Sequence, residues 1–346
     1  MTNIETSTLL ADQLERLLSQ AVDTRLLAAA ENGESIKPFS DAIEDLGLAW
    51  AMVGEEAGGA GLGWTEVASL LETMGYYAAP CPTGEEIAAN RALHHAQMPL
   101  PDRVPAMAPE GLRLDPNTGR ISGACTFAWA GQDLVLAVAS SPSNANLCLL
   151  DVSYGAVSPL LTVGRDQRSR CVFDDIPPFA ISRAPVDPES LISGLALVRA
   201  GQISGALSRI LALSIEYANT RVQFGRPIGK FQAVQHMIAE LSAEAAAARA
   251  GLQLAVRALD AGWGWEAAAI AKIRASLAAG KGAMLAHAVH GAIGVTEEHV
   301  LHHLTRRLWQ WRDEAGSEHD WSEKLGRLHL SRGGSALWSD LVRISG

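Results

Sequence analysis

The sequence predicts a mainly α chain with a β insert: an N-terminal helical domain over residues 1–104, a small middle β domain over 105–186 and a C-terminal four-helix bundle over 187–346. Two observations predict it. Apolar residues recur at three- and four-residue spacing at both ends of the chain, the period of a helix with one buried face. Between about Pro101 and Ala184, by contrast, Pro, Gly, Ser and Asn punctuate short apolar runs, the pattern of strands joined by turns. The 346 residues also call for more than one core, because single cores stop growing at roughly 250–300 residues.

Each region carries its own signature. In the first, Leu9, Leu10, Leu14, Leu17 and Leu18 mark helical spacing. In the second, Leu134-Val135-Leu136-Ala137-Val138 and Leu147-Cys148-Leu149-Leu150 are strand-length apolar runs. In the third, Ala/Leu-rich segments over Ser190–Thr220, Phe231–Ala261 and Trp265–His290 are separated by Gly or Pro breaks and suit long antiparallel helices. Ile238, Leu241, Ala245 and Ala248 keep an amphipathic period inside the Ala-rich stretch.

Composition excludes several functions. With 28 basic against 38 acidic residues the net charge is -10, and no basic run interleaves with aromatics, so nucleic-acid binding is not expected. No uninterrupted apolar stretch approaches the ~20 residues of a membrane span, and Met1-Thr2-Asn3-Ile4-Glu5 has no signal-peptide character, so a cytoplasmic protein without a membrane span is expected. Cys81, Cys125, Cys148 and Cys171 form no Cys-x-x-Cys pair and are expected to be buried free thiols. His299, His302 and His303 have ligand-like spacing, but no Glu-x-x-His pattern accompanies them. No metal is expected, and these histidines should be exposed or interfacial.

Gly58, Gly59 and Gly61 follow no strand and precede no Lys-Ser/Thr, so they read as a helix-linking turn rather than a phosphate loop. The segment Arg221-Val222-Gln223-Phe224-Gly225-Arg226-Pro227-Ile228-Gly229-Lys230-Phe231-Gln232 is more specific. Gly225 and Pro227 break a helix, Phe224 offers a face for stacking, and Arg221 can grip a phosphate.

That segment resembles the turn between two long helices in acyl-CoA dehydrogenases. Glu55-Glu56-Ala57-Gly58-Gly59-Ala60-Gly61 and His290-Gly291-Ala292-Ile293-Gly294-Val295-Thr296-Glu297-Glu298 agree with the same family in order and distance, so the resemblance covers nearly the whole chain. It implies FAD as cofactor, an acyl-CoA thioester as substrate, α,β-desaturation as reaction and electron-transferring flavoprotein as acceptor.

In the family FAD lies between two subunits, and the resemblance divides its contacts into two halves. The neighbour-facing half is present: Arg221, Gln223, Phe224, Phe231 and Gln232 on the turn, with His287, Gly291 and Gly294 on the later segment. Two departures occur there, His287 where a Gln is usual and Ala292 in place of a second glycine.

The other half is altered. In place of the family's Thr-Glu-Pro-x-x-Gly-Ser-Asp stretch stands Met107-Ala108-Pro109-Glu110-Gly111-Leu112, and Trp129 falls on the Thr that bonds the flavin edge. Counting from Gly294 through Arg306 puts Ala315 on the usual base, and the alternative base position falls near Leu195. Glu314 is the nearest candidate base, in a stretch with Asp313 and Glu318 that otherwise reads as a solvated acidic loop.

The losses are orderly, and they point to one subunit of a heteromeric, α2β2 acyl-CoA dehydrogenase whose partner is a second acyl-CoA dehydrogenase-like subunit. The rivals are a homotetrameric dehydrogenase using Glu314, an inactive structural subunit, and a flavin monooxygenase on the same fold.

Overall fold

The computed structural model describes residues 3–128 and 132–345. The chain begins with five helices: α1 (Asn3–Ala21), α2 (Thr24–Glu31), α3 (Lys37–Glu44), α4 (Trp64–Tyr76) and α5 (Thr83–His95). Of the leucines that mark α1, Leu14 and Leu18 are buried and Leu9 is exposed, so the helix lies on the surface with a narrow inner stripe. The glycine-rich segment before α4 is the expected turn, with Gly58 and Gly61 in the left-handed region at φ 85° and 62°.

Gly63 at the start of α4 has no side chain with which to cap the helix. Asp260, nearly two hundred residues later, supplies the cap. Its two carboxylate oxygens accept the backbone N–H groups of Trp64 and Thr65, each at 2.8 Å. A carboxylate on exposed helix-terminal N–H groups answers both their missing partners and the positive end of the helix dipole.

The sheet follows: β1 (Ala106–Leu114), β2 (Ile121–Ala128), β3 (Leu134–Ser140), β4 (Ala145–Asp151), β5 (Ala156–Leu160), β6 (Arg168–Ile176) and β7 (Ala180–Ile181), in spatial order β5-β6-β2-β1-β3-β4-β7. Only the β1–β3 pairing is parallel. The apolar runs of β3 and β4 are continuous because both faces are covered. Leu136, Val138, Leu147 and Leu149 pack on the helices, whereas Val135, Ala137, Cys148 and Leu150 join Phe127 and Phe173 in the sheet's own core. All four cysteines are buried free thiols as expected, with Cys125 directly opposite Cys171 across β2 and β6.

The C-terminal region is built on α6 (Pro188–Thr220), α7 (Gln232–Asp260) and α8 (Trp265–His290), followed by α9 (Leu301–Asp313), α10 (Glu318–Arg332) and α11 (Gly334–Ser345). These long helices match the Ala/Leu-rich segments of the sequence. Asp187 caps α6 through the N–H of Glu189 at 3.1 Å. Over Leu191–Thr220 this helix is long and apolar enough to cross a membrane, but 83% of the qualifying window is buried inside the protein, which makes it a core helix. It meets α4 at glycines: a Cβ on Gly75 would stand 2.0 Å from the carbonyl oxygen of Gln202, and one on Gly205 would stand 1.8 Å from that of Glu72. Backbone-to-backbone crossing therefore fixes α6 against the N-terminal helices.

Candidate functional site

Two groups of arginines stand out on or near α6, and their surroundings differ in kind. The first is the turn between α6 and α7. Arg221 ends α6 in extended conformation, and a two-residue hairpin, β8 (Val222–Gln223) with β9 (Arg226–Pro227), reverses the chain through Phe224 and Gly225 at φ 50° and 78°. A phenylalanine in the left-handed region is sterically costly, and here it places the ring almost wholly in solvent, 92% exposed.

Around that ring the turn is ordered by its own contacts. Phe231 meets Phe224 edge-on at 6.1 Å, and the Arg226 guanidinium lies over the Phe231 ring at 4.2 Å. Arg221, Gln223 and Gln232 are exposed. The turn is anchored from below by Ile228 and Ala218, which pack on Val289 of α8, and by Tyr217, which stacks on His290 at 4.8 Å.

That anchorage brings the second predicted segment beside the first. His287 and His290 lie on the last turn of α8, Gly291 ends it at φ 63°, and a 3-10 turn runs to Val295. His287 engages Thr305 at 2.9 Å through Nε2, while its buried Nδ1 and the buried Nε2 of His290 have no hydrogen-bond partner among the described residues. Burial, with the neighbouring His290, holds the His287 imidazole below its ordinary value. Gly294 is closely packed: a Cβ there would stand 2.9 Å from the Leu301 side chain and 3.2 Å from the His287 Nδ1. An exposed cation, exposed aromatic and amide groups and a bare glycine at Gly291 fit the phosphate and ring portions of a dinucleotide.

The second group lies in a cavity of about 280 Å³ enclosed by α5, β1, β2, β6, α6 and the end of α9, whose lining includes Glu85, Met107, Thr126, Arg168, Arg199 and Glu314. Leu195 and Ala315, the two positions on which a base would fall, both line it and are apolar. Glu314 is the carboxylate next to Ala315, and both of its oxygens are engaged by neighbours. One oxygen accepts from Arg199 Nε at 2.6 Å; the other accepts from Gln310 Nε2 at 2.6 Å and pairs with Arg168 Nη2 at 2.7 Å.

The network continues outward. Arg199 donates to Glu85 at 2.5 Å and to Gln202 at 2.6 Å, and Arg168 donates to Asp166 at 3.0 Å. Burial works against the Arg199 charge, but Glu314 and Glu85 outweigh it and hold the guanidinium above its ordinary value. Arg168 is raised in the same way. Burial opposes the Asp166 charge too, and Arg168 with Arg307 draws that carboxyl below its usual range. Each charge is thus met by an opposite one, as buried ions require.

These contacts correct two readings from sequence. Asp313, Glu314 and Glu318 are not a uniformly solvated acidic loop, because the Glu314 side chain is only 15% exposed and is ion-paired. His303 is buried and donates from Nδ1 to the Glu31 carboxylate at 2.6 Å, so it is neither exposed nor interfacial; Arg306 pairs with the same carboxylate. No metal-binding group of His, Cys, Asp and Glu occurs among the described residues. Trp129 lies outside the described residues; its neighbours Thr126 and Ala128 line the cavity.

Sequence reasoning missed Glu85, Arg168, Arg199, Gln310 and Lys272. The available signal was a lone charge in an apolar helix: Arg199 stands between Leu195-Ala196-Leu197-Val198 and Ala200, and Lys272 between Ala271 and Ile273. A charge on such a face is buried and must find partners. What sequence spacing does not supply is the identity of those partners on distant elements.

Comparison with known proteins agrees with this architecture. The family model for the acyl-CoA dehydrogenase C-terminal domain matches residues 191–312. Acyl-CoA dehydrogenase IpdE2 of Mycobacterium tuberculosis is 31% identical over 82% of this chain and 83% of its own length. Among solved structures, a variant of the Tcur3481-Tcur3483 steroid ACAD superposes with a TM-score of 0.87 at 26% identity, over 96% of this chain and 100% of that one. The ChsE4-ChsE5 complex of Mycobacterium tuberculosis superposes with a TM-score of 0.86 at 23% identity, over 96% of this chain and 100% of that one. The element order, the Arg221 turn packed on the end of α8 and these likenesses together show that the chain belongs to the acyl-CoA dehydrogenase family of FAD-dependent oxidoreductases.

Proposed function

We propose that this chain is one subunit of a heteromeric acyl-CoA dehydrogenase, in which its Arg221 turn and α8 terminus hold FAD seated in a second, acyl-CoA dehydrogenase-like subunit. One observation carries this reading. Arg221 and Arg199 lie 22 residues apart along α6, about 33 Å at 1.5 Å per residue. The exposed dinucleotide-fitting surface is therefore remote from this chain's own cavity and faces outward, where another subunit can meet it.

The division of labour follows from the chemistry. Desaturation removes a proton from the α-carbon of the thioester while hydride leaves the β-carbon for the flavin. The first half needs a carboxylate with a free lone pair aimed at that carbon. In this chain the base positions are Leu195 and Ala315, and Glu314 is engaged by Arg199, Arg168 and Gln310.

In the heteromer, Arg221 supplies positive charge to the pyrophosphate, Gln223 and Gln232 offer amide hydrogen bonds, and Phe224 offers a stacking face. FAD held there would supply the hydride-accepting chemistry, with an electron-transferring flavoprotein as the proposed acceptor of its electrons. The likeness to the Tcur3481-Tcur3483 steroid ACAD favours an acyl-CoA with a steroid-derived acyl group. A homotetramer using Glu314 as base is the rival, and it would first have to release that carboxylate from two guanidinium groups.

The test is to purify the chain alone and together with its partner dehydrogenase subunit, recording flavin absorbance and acyl-CoA-dependent dye reduction. Colourless, inactive protein alone and a yellow, active complex are expected. Yellow, active protein from the single chain sinks the heteromeric reading.

A further inference from the structure

Beneath the loop that carries Glu314 lies a lysine with no sequence-level role. Lys272, in the middle of α8, is fully buried. Its Nζ donates to the carbonyl oxygens of Arg312 at 2.6 Å and Gly316 at 2.9 Å, and lies 3.0 Å from Ser276 Oγ, which itself donates to the Arg312 carbonyl at 3.2 Å. The two carbonyls flank Glu314 on either side. A neutral amine keeps two N–H donors and an ammonium has three, so both forms can hold the pair of carbonyls.

The loop is held a second time. Ala315 adopts φ 54°, a left-handed conformation that is sterically unfavourable for an L-residue. The indole N–H of Trp321 donates to the Ala315 carbonyl at 2.8 Å, and Trp321 is itself buried. A strained residue gripped from two sides is a backbone kept in one conformation by its surroundings. What that conformation delivers is the Glu314 carboxylate, placed between β6 and α6 and, through Arg199, tied to α5.

We propose that Lys272 is a positioning residue: by gripping the backbone on both sides of Glu314, it aims that carboxylate into a clasp that locks the N-terminal helices, the sheet and the C-terminal bundle together across this chain's cavity. The inference rests on the reading that this cavity is not where proton abstraction occurs. It also adds to that reading, because it gives Glu314 and its strained loop a role of their own.

The experiment is a double-variant cycle on the complex with its partner subunit, combining Lys272→Met and Glu314→Gln, with thermal midpoint as readout. Each single change breaks or misplaces a buried ionic contact and should lower the midpoint by about 5–10 °C. If Lys272 acts through Glu314, the double variant falls no further than the worse single one, because the clasp is already lost. Should Lys272→Met fail to fold, Ser276→Ala, which removes one loop contact, replaces it in the same cycle with a smaller shift and the same non-additivity. Additive losses overturn the proposal. So does a thousand-fold fall in dye reduction by Glu314→Gln at an unmoved midpoint, the signature of a base. Neither outcome depends on flavin count, which tests the heteromeric assembly separately.

Discussion

The Arg221 turn and the Arg199 cavity place the same kind of side chain in opposite circumstances. At the cavity two buried guanidinium groups are matched by Glu85, Asp166 and Glu314, so their charge is used inside the fold. At the turn Arg221 is exposed, and Arg226 lies over a ring rather than a carboxylate. An arginine satisfied internally contributes to stability; one left available at an exposed, rigid turn contributes to recognition. On the proposed reading, one end of α6 serves structure and the other serves ligand binding.

The sharpest way to break that contrast is at Arg199. Replacing it with Met leaves Glu85 buried without its cation and Glu314 with Arg168 alone. The change should cost about 3–5 kcal/mol, read as a lower urea midpoint at unchanged slope. A loss below 1 kcal/mol would mean that water already reaches these carboxylates.

A second test uses Lys272, which faces Glu314 and Asp313 at the end of α9, Glu318 in α10 and Arg199 in α6. Burial pushes its ammonium down to about 7 from the ordinary 10.5, against the pull of Glu314. Between these values the unfolded chain binds the proton and the folded chain does not. This group therefore makes stability rise with pH from about 7 to 10.5 and adds no slope below 7. Lys272→Met should remove that rise when urea unfolding is followed across the window. An identical rise in the variant would mean that the lysine stays charged in the fold.

At the other end, Arg226→Ala should change unfolding free energy by no more than about 1 kcal/mol, since an exposed cation over the half-buried Phe231 ring contributes about 0.5–1 kcal/mol. A larger loss would mark the turn as structural, and the distinction between the two ends of α6 would dissolve.

Much of this was legible in the sequence because it depends on local pattern. The three long helices follow from Ala/Leu periodicity between Gly and Pro breaks, and the turn follows from Gly225 and Pro227. The β3 and β4 strands follow from short apolar runs. The cavity was legible only as an absence: Leu195 and Ala315 could be counted onto the base positions, but nothing near Glu314 in sequence names Arg199, 115 residues away, or Arg168. Long-range ion pairing is set by how helices and sheet meet, here by the glycine crossing of α4 and α6 and by Lys272 under the loop. For the same reason His303, expected to be exposed or interfacial, is buried against Glu31 from α2.

The most direct test of the account is the flavin content of the purified heteromeric complex when Arg221 is changed to Ala in this chain alone. The account predicts that the complex assembles as the parent does while flavin per complex falls about ten-fold, the loss of one charge-assisted phosphate contact. A complex that keeps its full flavin without Arg221 would contradict it.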